Sequence, residues 1–226
     1  MTNQSPSVIF DLDGTLADTS GDLIAAANHC FKVMGHGVIL DTKNDATTAL
    51  RGGRAMLRLG LARMGEANED TVEHFYPILL EAYSNAIAVY TTLFPNVRTS
   101  IGRLIQSGYN VGICTNKPEA LAQKLMVHLN FRDEFSCLVG ADTLTVRKPD
   151  PQTFFESVRR VGGVPERACL IGDSVTDHDT ARAAGVPSIL VDFGLADCDI
   201  AGLNPDALIT HFDQLEAALS KVGLKP

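Results

Sequence analysis

Short apolar runs that end in a polar residue alternate with helical patterns along most of this chain of 226 residues. Runs this short, with no polar face, are typical of buried parallel strands that are joined by helices. The sequence therefore predicts an α/β fold, a parallel sheet with helices on both faces. The predicted strands are Ser7–Phe10, Tyr109–Cys114, Cys137–Val139, Ala168–Ile171, Ser188–Val191 and Ala207–Ile209. The predicted helices between them lie at about 97–107, 118–129, 151–161, 177–184 and 213–222.

Residues 18–91 interrupt this alternation. They show helical periodicity over Asp22–Met34, Ala46–Met64 and Thr71–Val89, and they contain no convincing strand. A helical insertion after the first strand is the simplest interpretation. We therefore predict two domains, an α/β core of residues 1–17 and 92–226 and a helical domain of residues 18–91.

Charge and composition exclude several classes of protein. The net charge of −8 argues against charge-driven binding to nucleic acid or to an anionic membrane, while a small anionic substrate stays compatible with it. No apolar run approaches the roughly 20 residues of a membrane span, and the first residues lack the features of a signal peptide, so we expect a cytoplasmic protein. The five cysteines lack any Cys-x-x-Cys spacing and are expected to be reduced thiols.

Aspartates follow two of the predicted strands. Asp11 and Asp13 come after the first strand, and Asp173 and Asp177 come after a later one. Asp-Gly turns and a calcium loop are alternatives, but the later ligand positions of a calcium loop are missing. Ligands bind at the carboxyl ends of parallel strands, where these carboxylates would repel one another unless a cation lay among them. Oxygen-only ligation by few carboxylates favours Mg²⁺.

Two further polar motifs fit an anion. Thr115, with Asn116 and Lys117, ends another predicted strand, and Lys148 precedes a helix between Arg147 and Pro149. A hydroxyl with adjacent backbone N–H groups binds anions, and a lysine adds a point charge. A helix N-cap at Thr115 and a solvated surface lysine at Lys148 are the structural alternatives.

Taken together, these motifs resemble those of the haloacid dehalogenase-like superfamily of phosphotransferases. Four separated motifs occur in the order typical of that superfamily: Asp11–Thr15, Thr115, Lys148 and Gly172–Asp177. The resemblance covers essentially the whole chain. It implies a Rossmann-like core and an all-α cap domain inserted after the first motif.

The resemblance also implies a role for each motif residue. Asp11 would be the nucleophile that forms an aspartyl-phosphate, and Asp13 would be the general acid and then the general base. Thr115 and the backbone of Asn116 would hold the phosphoryl oxygens, and Lys148 would neutralise Asp11 and the transferring group. The Mg²⁺ ligands would be Asp11, the backbone carbonyl of Asp13 and Asp173, supported by Asp177, Ser174 and Thr15.

Within the superfamily, Asp18–Leu23, Thr115–Pro118 and Arg147–Pro151 are most similar to the phosphoglycolate phosphatase branch. The expected reaction is Mg²⁺-dependent hydrolysis of a small phosphate monoester, with 2-phosphoglycolate as the first choice. A β-phosphoglucomutase-type mutase or a broad sugar-phosphate phosphatase would use the same core residues. A receiver-like phosphoacceptor module is the non-enzymatic alternative, and monomer and homodimer both stay open.

Three basic residues are candidates for substrate specificity. Arg51 and Arg54 flank two glycines in the helical insertion, and an arginine binds a carboxylate or a phosphate through two hydrogen bonds. The same arginines also fit the solvated side of a helix. Lys117 lies two residues after Thr115, where it either contacts the substrate or simply begins a helix before Pro118.

Overall fold

The computed structural model describes residues 4–193 and 199–226. The described residues divide into two compact units. The first unit runs up to Ala17 and resumes at Leu93, and the second is Asp18–Thr92. The strands are β1 (Ser7–Phe10), β2 (Ala17–Asp18), β3 (Thr92–Leu93), β4 (Asn110–Cys114), β5 (Cys137–Val139), β6 (Ala168–Gly172), β7 (Ser188–Val191) and β8 (Ala207–Ile209).

A parallel sheet forms the centre of the first unit. Within the described residues it has six strands in the order β5-β4-β1-β6-β7-β8, and β2 pairs with β3 in a separate sheet. The chain begins at the centre of the large sheet, builds outward on one side and then crosses to the other, which is the order of a doubly wound Rossmann-like sheet. The predicted α/β fold class is therefore confirmed.

The helices of the first unit connect these strands. They are α5 (Val97–Gln106), α6 (Glu119–His128), α7 (Gln152–Arg160), α8 (Val175–Ala184) and α9 (Leu215–Lys221). The second unit contains α1 (Ser20–Val33), α2 (Thr42–Leu50), α3 (Gly53–Met64) and α4 (Glu69–Asn85).

Backbone conformation explains one wrong prediction and the start of α5. The helix predicted over Ala46–Met64 is broken, because Gly52 has a φ of 96° between α2 and α3. Side chains other than glycine rarely adopt this left-handed region. Asn96 has a φ of 62° at the start of α5. Asparagine tolerates this conformation better than most residues, so the turn is kept.

The register of the central strands positions the polar motifs. Phe10 of β1 lies beside Ile113 of β4 and Ile171 of β6, so the three strands end at the same edge of the sheet. Every residue of β1 and β6 is buried, and Val8, Ile9 and Phe10 are completely so. Burial on both faces explains why the strands have no polar alternation.

The ends of the second unit are held together by one buried carboxylate. Asp22 accepts hydrogen bonds from the backbone N–H groups of Val89, Tyr90 and Thr91, and also from the Thr91 hydroxyl. These charge-assisted bonds tie the start of α1 to the segment that leaves the unit. The helical periodicity predicted for residues 18–91 agrees with the four helices α1 to α4 found there.

The cysteines lie in the interior. Cys30, Cys114, Cys137 and Cys169 are buried free thiols, and Cys198 lies outside the described residues. Over residues 4–193 and 199–226, we find no helix with the length and apolar character that crossing a membrane requires.

Candidate functional site

Asp11 is the first residue after β1 and lies in the interior of the first unit. Its backbone N–H donates to the carbonyl of Ile171 at 2.8 Å, which fixes it between the ends of β1 and β6. Its Oδ1 lies 3.0 Å from Nζ of Lys148 but accepts no hydrogen bond of good geometry. Burial raises the pKa of Asp11 to about 6, although the Lys148 ammonium acts in the opposite direction. The site therefore holds a carboxylate that is costly to ionise without further positive charge.

Asp173 and Asp177 complete a cluster of three carboxylates with Asp11. One carboxylate oxygen of each residue lies within 4.8 Å of the others. The Thr15 hydroxyl donates to Oδ1 of Asp173 at 2.8 Å. Burial, together with the negative charges of Asp177 and Asp11, raises the pKa of Asp173 well above its ordinary value.

The start of α8 holds Asp177 rigidly. Ser174 caps the helix, and its hydroxyl donates to Oδ2 of Asp177 at 2.5 Å while it accepts from the Asp177 backbone N–H. This reciprocal capping box satisfies groups at the helix start that have no partner within the helix. The other oxygen, Oδ1, accepts from Nζ of Lys148 at 2.6 Å.

Lys148 is a buried ammonium shared between two carboxylates. Its side chain is 2% exposed, and Nζ contacts Asp177 at 2.6 Å and Asp11 at 3.0 Å. Burial acts to lower the pKa of Lys148, but the two carboxylates outweigh it and hold the pKa above its ordinary value. The side-chain amide of Asn116 donates to the Lys148 carbonyl at 3.0 Å, so Asn116 anchors the loop that carries the ammonium.

Thr115 and Lys117 lie at the end of β4. The Thr115 N–H donates to the carbonyl of Val139 at 2.9 Å, and its hydroxyl accepts from the Lys117 N–H at 3.2 Å. The Lys117 side chain does not point to solvent, since Nζ donates to both carboxylate oxygens of Asp13 at 2.7 and 3.0 Å. Asp13 is therefore held by an ammonium from the neighbouring strand end.

The charges of this edge fit a divalent cation. Within the described residues, four carboxylates lie close to two ammonium groups. Asp13 contacts Lys117, and Asp11 and Asp177 contact Lys148. Asp173 lies in the cluster with Asp11 and Asp177. Full ionisation leaves negative charge in excess, and all of the available donors are oxygens, as Mg²⁺ prefers. The buried Oδ1 of Asp11 without a hydrogen bond points to the same conclusion.

A glycine lets the two carboxylate loops approach each other, which gives a prediction for Gly14→Ala. Gly14 has a φ of 81°, and a Cβ there would collide with the Asp173 carboxylate. We expect the variant to lose about 2–5 kcal/mol of unfolding free energy, combining backbone strain with the collision. The control is Gly108→Ala, whose φ of 89° is similar but whose Cβ would meet nothing within 4 Å. Equal losses in urea denaturation would show that the collision contributes nothing.

The two candidate arginines belong to the second unit, whereas the site residues described above belong to the first. Arg54 donates to both carboxylate oxygens of Glu73, at 2.6 and 2.9 Å, and lies 3.5 Å from the centroid of the Tyr76 ring. Much of its guanidinium is thus bound within its own unit. Arg51 is the residue that directly follows α2.

Sequence reasoning missed two ion pairs of the site. It paired Lys148 with Asp11, which lies 3.0 Å from Nζ, but did not foresee the shorter contact of 2.6 Å between Nζ and Asp177. It treated Lys117 as a substrate contact or a helix start and did not connect it with Asp13. The sequence did contain one indication of these pairs. Carboxylates gathered at one edge of a sheet require nearby cations, and Lys117 and Lys148 are the lysines that lie within the motifs.

Comparison with known proteins places the chain in a family. The sequence profile of haloacid dehalogenase-like hydrolases matches residues 8–191. A phosphoglycolate phosphatase of Mesorhizobium japonicum is 37% identical, covering 96% of this chain and 95% of that protein. One from Agrobacterium fabrum is 35% identical, covering 95% of this chain and 92% of that protein.

A solved structure shows that the fold is shared. The crystal structure of a predicted phosphoglycolate phosphatase from Haemophilus somnus has a TM-score of 0.83 and 24% identity. The match covers 96% of this chain and 99% of that one. With the family profile and the extended identity to the curated relatives, it follows that this chain is a member of the haloacid dehalogenase-like hydrolase family and a phosphatase.

Proposed function

We propose that the chain hydrolyses a small acidic phosphate monoester, 2-phosphoglycolate in the first place, through an aspartyl-phosphate on Asp11 and with Mg²⁺ as cofactor. The observation that carries the proposal is the position of Asp11. Its side chain is 13% exposed, and its carboxylate lies beside an ammonium and within 4.8 Å of two further carboxylates. Such a site suits a nucleophile whose negative charge must be compensated before it approaches a phosphate.

Asp11 and Lys148 carry the first half of the reaction. A carboxylate attacks phosphorus only when its repulsion from the phosphate dianion is cancelled, and preorganised positive charge in a buried site does this effectively. The Lys148 ammonium, 3.0 Å from Asp11, supplies part of that charge. A covalent intermediate then divides one difficult displacement into two easier steps.

Asp13 and the end of β4 serve the leaving group and the phosphate. Asp13 donates a proton to the departing ester oxygen and then takes one from the water that hydrolyses the intermediate. The Thr115 hydroxyl and the Asn116 backbone N–H hold phosphoryl oxygens. Thr115 is almost fully buried, which favours a strong hydrogen bond to the charged group.

The residues that would hold Mg²⁺ are Asp11, the backbone carbonyl of Asp13 and Asp173. Bound there, Mg²⁺ supplies positive charge to the phosphoryl oxygens and lowers the cost of keeping Asp11 ionised. Thr15 fixes Asp173 by a hydrogen bond of 2.8 Å, and Ser174 fixes Asp177. This second layer of contacts keeps the carboxylates oriented.

The names of the relatives and the acidic-ester chemistry support 2-phosphoglycolate. The two curated relatives described above are phosphoglycolate phosphatases at 37% and 35% identity. We further propose that the helical unit contributes to substrate selection as a cap. Arg51 and Arg54 are the candidates there, and Arg54 also forms an ion pair with Glu73.

A phosphate-release screen tests the proposal. With Mg²⁺, the purified chain is expected to release inorganic phosphate from 2-phosphoglycolate with a kcat/KM at least about tenfold above that for sugar phosphates, and EDTA is expected to remove the activity. Restoration by added Mg²⁺ is the control for damage by the chelator. Conversion of a sugar phosphate into an isomer without net release of phosphate would instead show a mutase.

A further inference from the structure

The ion pair between Lys117 and Asp13 places an ammonium next to the residue that faces the leaving oxygen. Nζ of Lys117 lies 2.7 and 3.0 Å from the two carboxylate oxygens. The Lys117 side chain is 4% exposed and that of Asp13 is 15% exposed. A buried ammonium is costly unless it is paired, so this partner fixes Lys117 at the leaving-group end of the site.

Lys117 is also linked to the phosphate-binding residue. Its backbone N–H donates to the Thr115 hydroxyl at 3.2 Å, so the two residues form one short rigid turn after β4. Suppose that Thr115 holds the phosphoryl oxygens of an ester and that Asp11 attacks its phosphorus. The leaving oxygen then lies on the side of the phosphorus opposite Asp11, because the attacking and leaving oxygens lie roughly in line. That oxygen then lies at Asp13, and a group attached one carbon further is close to the Lys117 ammonium.

We propose that Lys117 recognises the carboxylate of the substrate and exchanges Asp13 for it when the substrate binds. The inference rests on the proposed function and deepens it by naming a residue that determines specificity. A carboxylate on the carbon bonded to the ester oxygen, as in 2-phosphoglycolate, is a stronger partner for an ammonium than a neutral substituent. The exchange frees both oxygens of Asp13 to contact the leaving oxygen.

This exchange selects substrates during catalysis as well as during binding. An ester without the acid group leaves the Lys117–Asp13 pair intact, so Asp13 stays engaged and the reaction is slower. Binding energy from a part of the substrate that does not react is thereby used at the reacting centre. The lysine stem, with four methylene groups, allows the ammonium to move between the two carboxylates.

The test compares 2-phosphoglycolate with ethyl phosphate, which has a methyl group in place of the carboxylate. In Lys117→Met, which keeps an unbranched side chain of similar length, we expect kcat/KM for 2-phosphoglycolate to fall by about 30- to 100-fold. For ethyl phosphate, whose reaction the intact Lys117–Asp13 pair slows, we expect kcat/KM to stay unchanged or to rise by up to about tenfold, so the ratio between the two esters falls. Lys221→Met, which removes an exposed lysine of α9, is the control and should keep the wild-type ratio.

Two outcomes overturn the inference. One is an unchanged ratio in Lys117→Met, and the other is an equal loss for both esters, which would confine Lys117 to supporting Asp13. If Lys117→Met does not fold, as judged by circular dichroism, Lys117→Gln is measured by the same ratio. A wild-type chain that does not hydrolyse 2-phosphoglycolate contradicts the proposed function, whereas a wild-type preference that survives loss of the lysine contradicts only the inference.

Discussion

Replacement of Asp11 by asparagine is expected to lower kcat/KM for phosphate release by at least about 10⁴-fold, because Asn keeps the volume of the side chain and removes the attacking charge. The measurement is release of inorganic phosphate from 2-phosphoglycolate in the presence of Mg²⁺. Asp133→Asn is the matched control, because Asp133 is an exposed aspartate of the same unit. An Asp11→Asn variant within about tenfold of wild type would show that Asp11 is not the nucleophile.

The same substitution is expected to stabilise the fold once Mg²⁺ has been removed with EDTA. The pKa of Asp11 is about 6, above the ordinary value of 3.8, because burial outweighs the Lys148 ammonium. A carboxyl whose pKa is higher in the folded chain than in the unfolded chain destabilises the fold increasingly as pH rises through that range. Above neutral pH, removing it raises the unfolding free energy by up to about 3 kcal/mol, and the gain disappears below about pH 4. Urea denaturation at several pH values measures this, and a loss of stability would contradict it.

Replacement of Lys148 by methionine is expected to abolish activity and to destabilise the fold. Nζ lies 2.6 Å from Asp177 and 3.0 Å from Asp11, and the lysine side chain is 2% exposed. Removing one partner of a buried ionic group leaves the other charges without compensation, at a cost of about 3–5 kcal/mol in EDTA. We expect added Mg²⁺ to recover part of this loss, because it supplies positive charge to the same carboxylates.

A double-mutant cycle separates the ion pair from other effects of the lysine. Asp177→Asn removes the closer carboxylate and keeps the side-chain volume, so Lys148→Met should cost less in that background than alone. The expected coupling is about 1–3 kcal/mol in the free energy of unfolding. Additive losses would show that Lys148 stabilises the fold through packing of its stem and not through Asp177.

The strands were predictable because their signal is local. Cys137–Val139, Ser188–Val191 and Ala207–Ile209 have the predicted bounds, and β1 has them as well. Apolar residues on both faces and polar residues at the ends are properties of a few consecutive positions. The break at Gly52 was not predicted, because helical periodicity continues across it and only the backbone angle of 96° interrupts the helix.

The partners of the buried lysines depend on distant parts of the chain. Lys117 and Asp13 are 104 positions apart, and Lys148 and Asp177 are 29 apart. Which carboxylate each ammonium reaches depends on how the segments that follow β4, β5 and β6 are arranged beside the end of β1. No local pattern contains that information.

The sequence by itself determined the fold class, the family and the set of polar residues at the strand ends, because apolar runs and short motifs encode secondary structure and chemistry locally. Only the tertiary structure decided how the charges pair: Lys148 between Asp11 and Asp177, and Lys117 on Asp13. The physical reason is that burial makes each unpaired charge costly, and the available partner is fixed only when separate strand ends meet at one edge of the sheet.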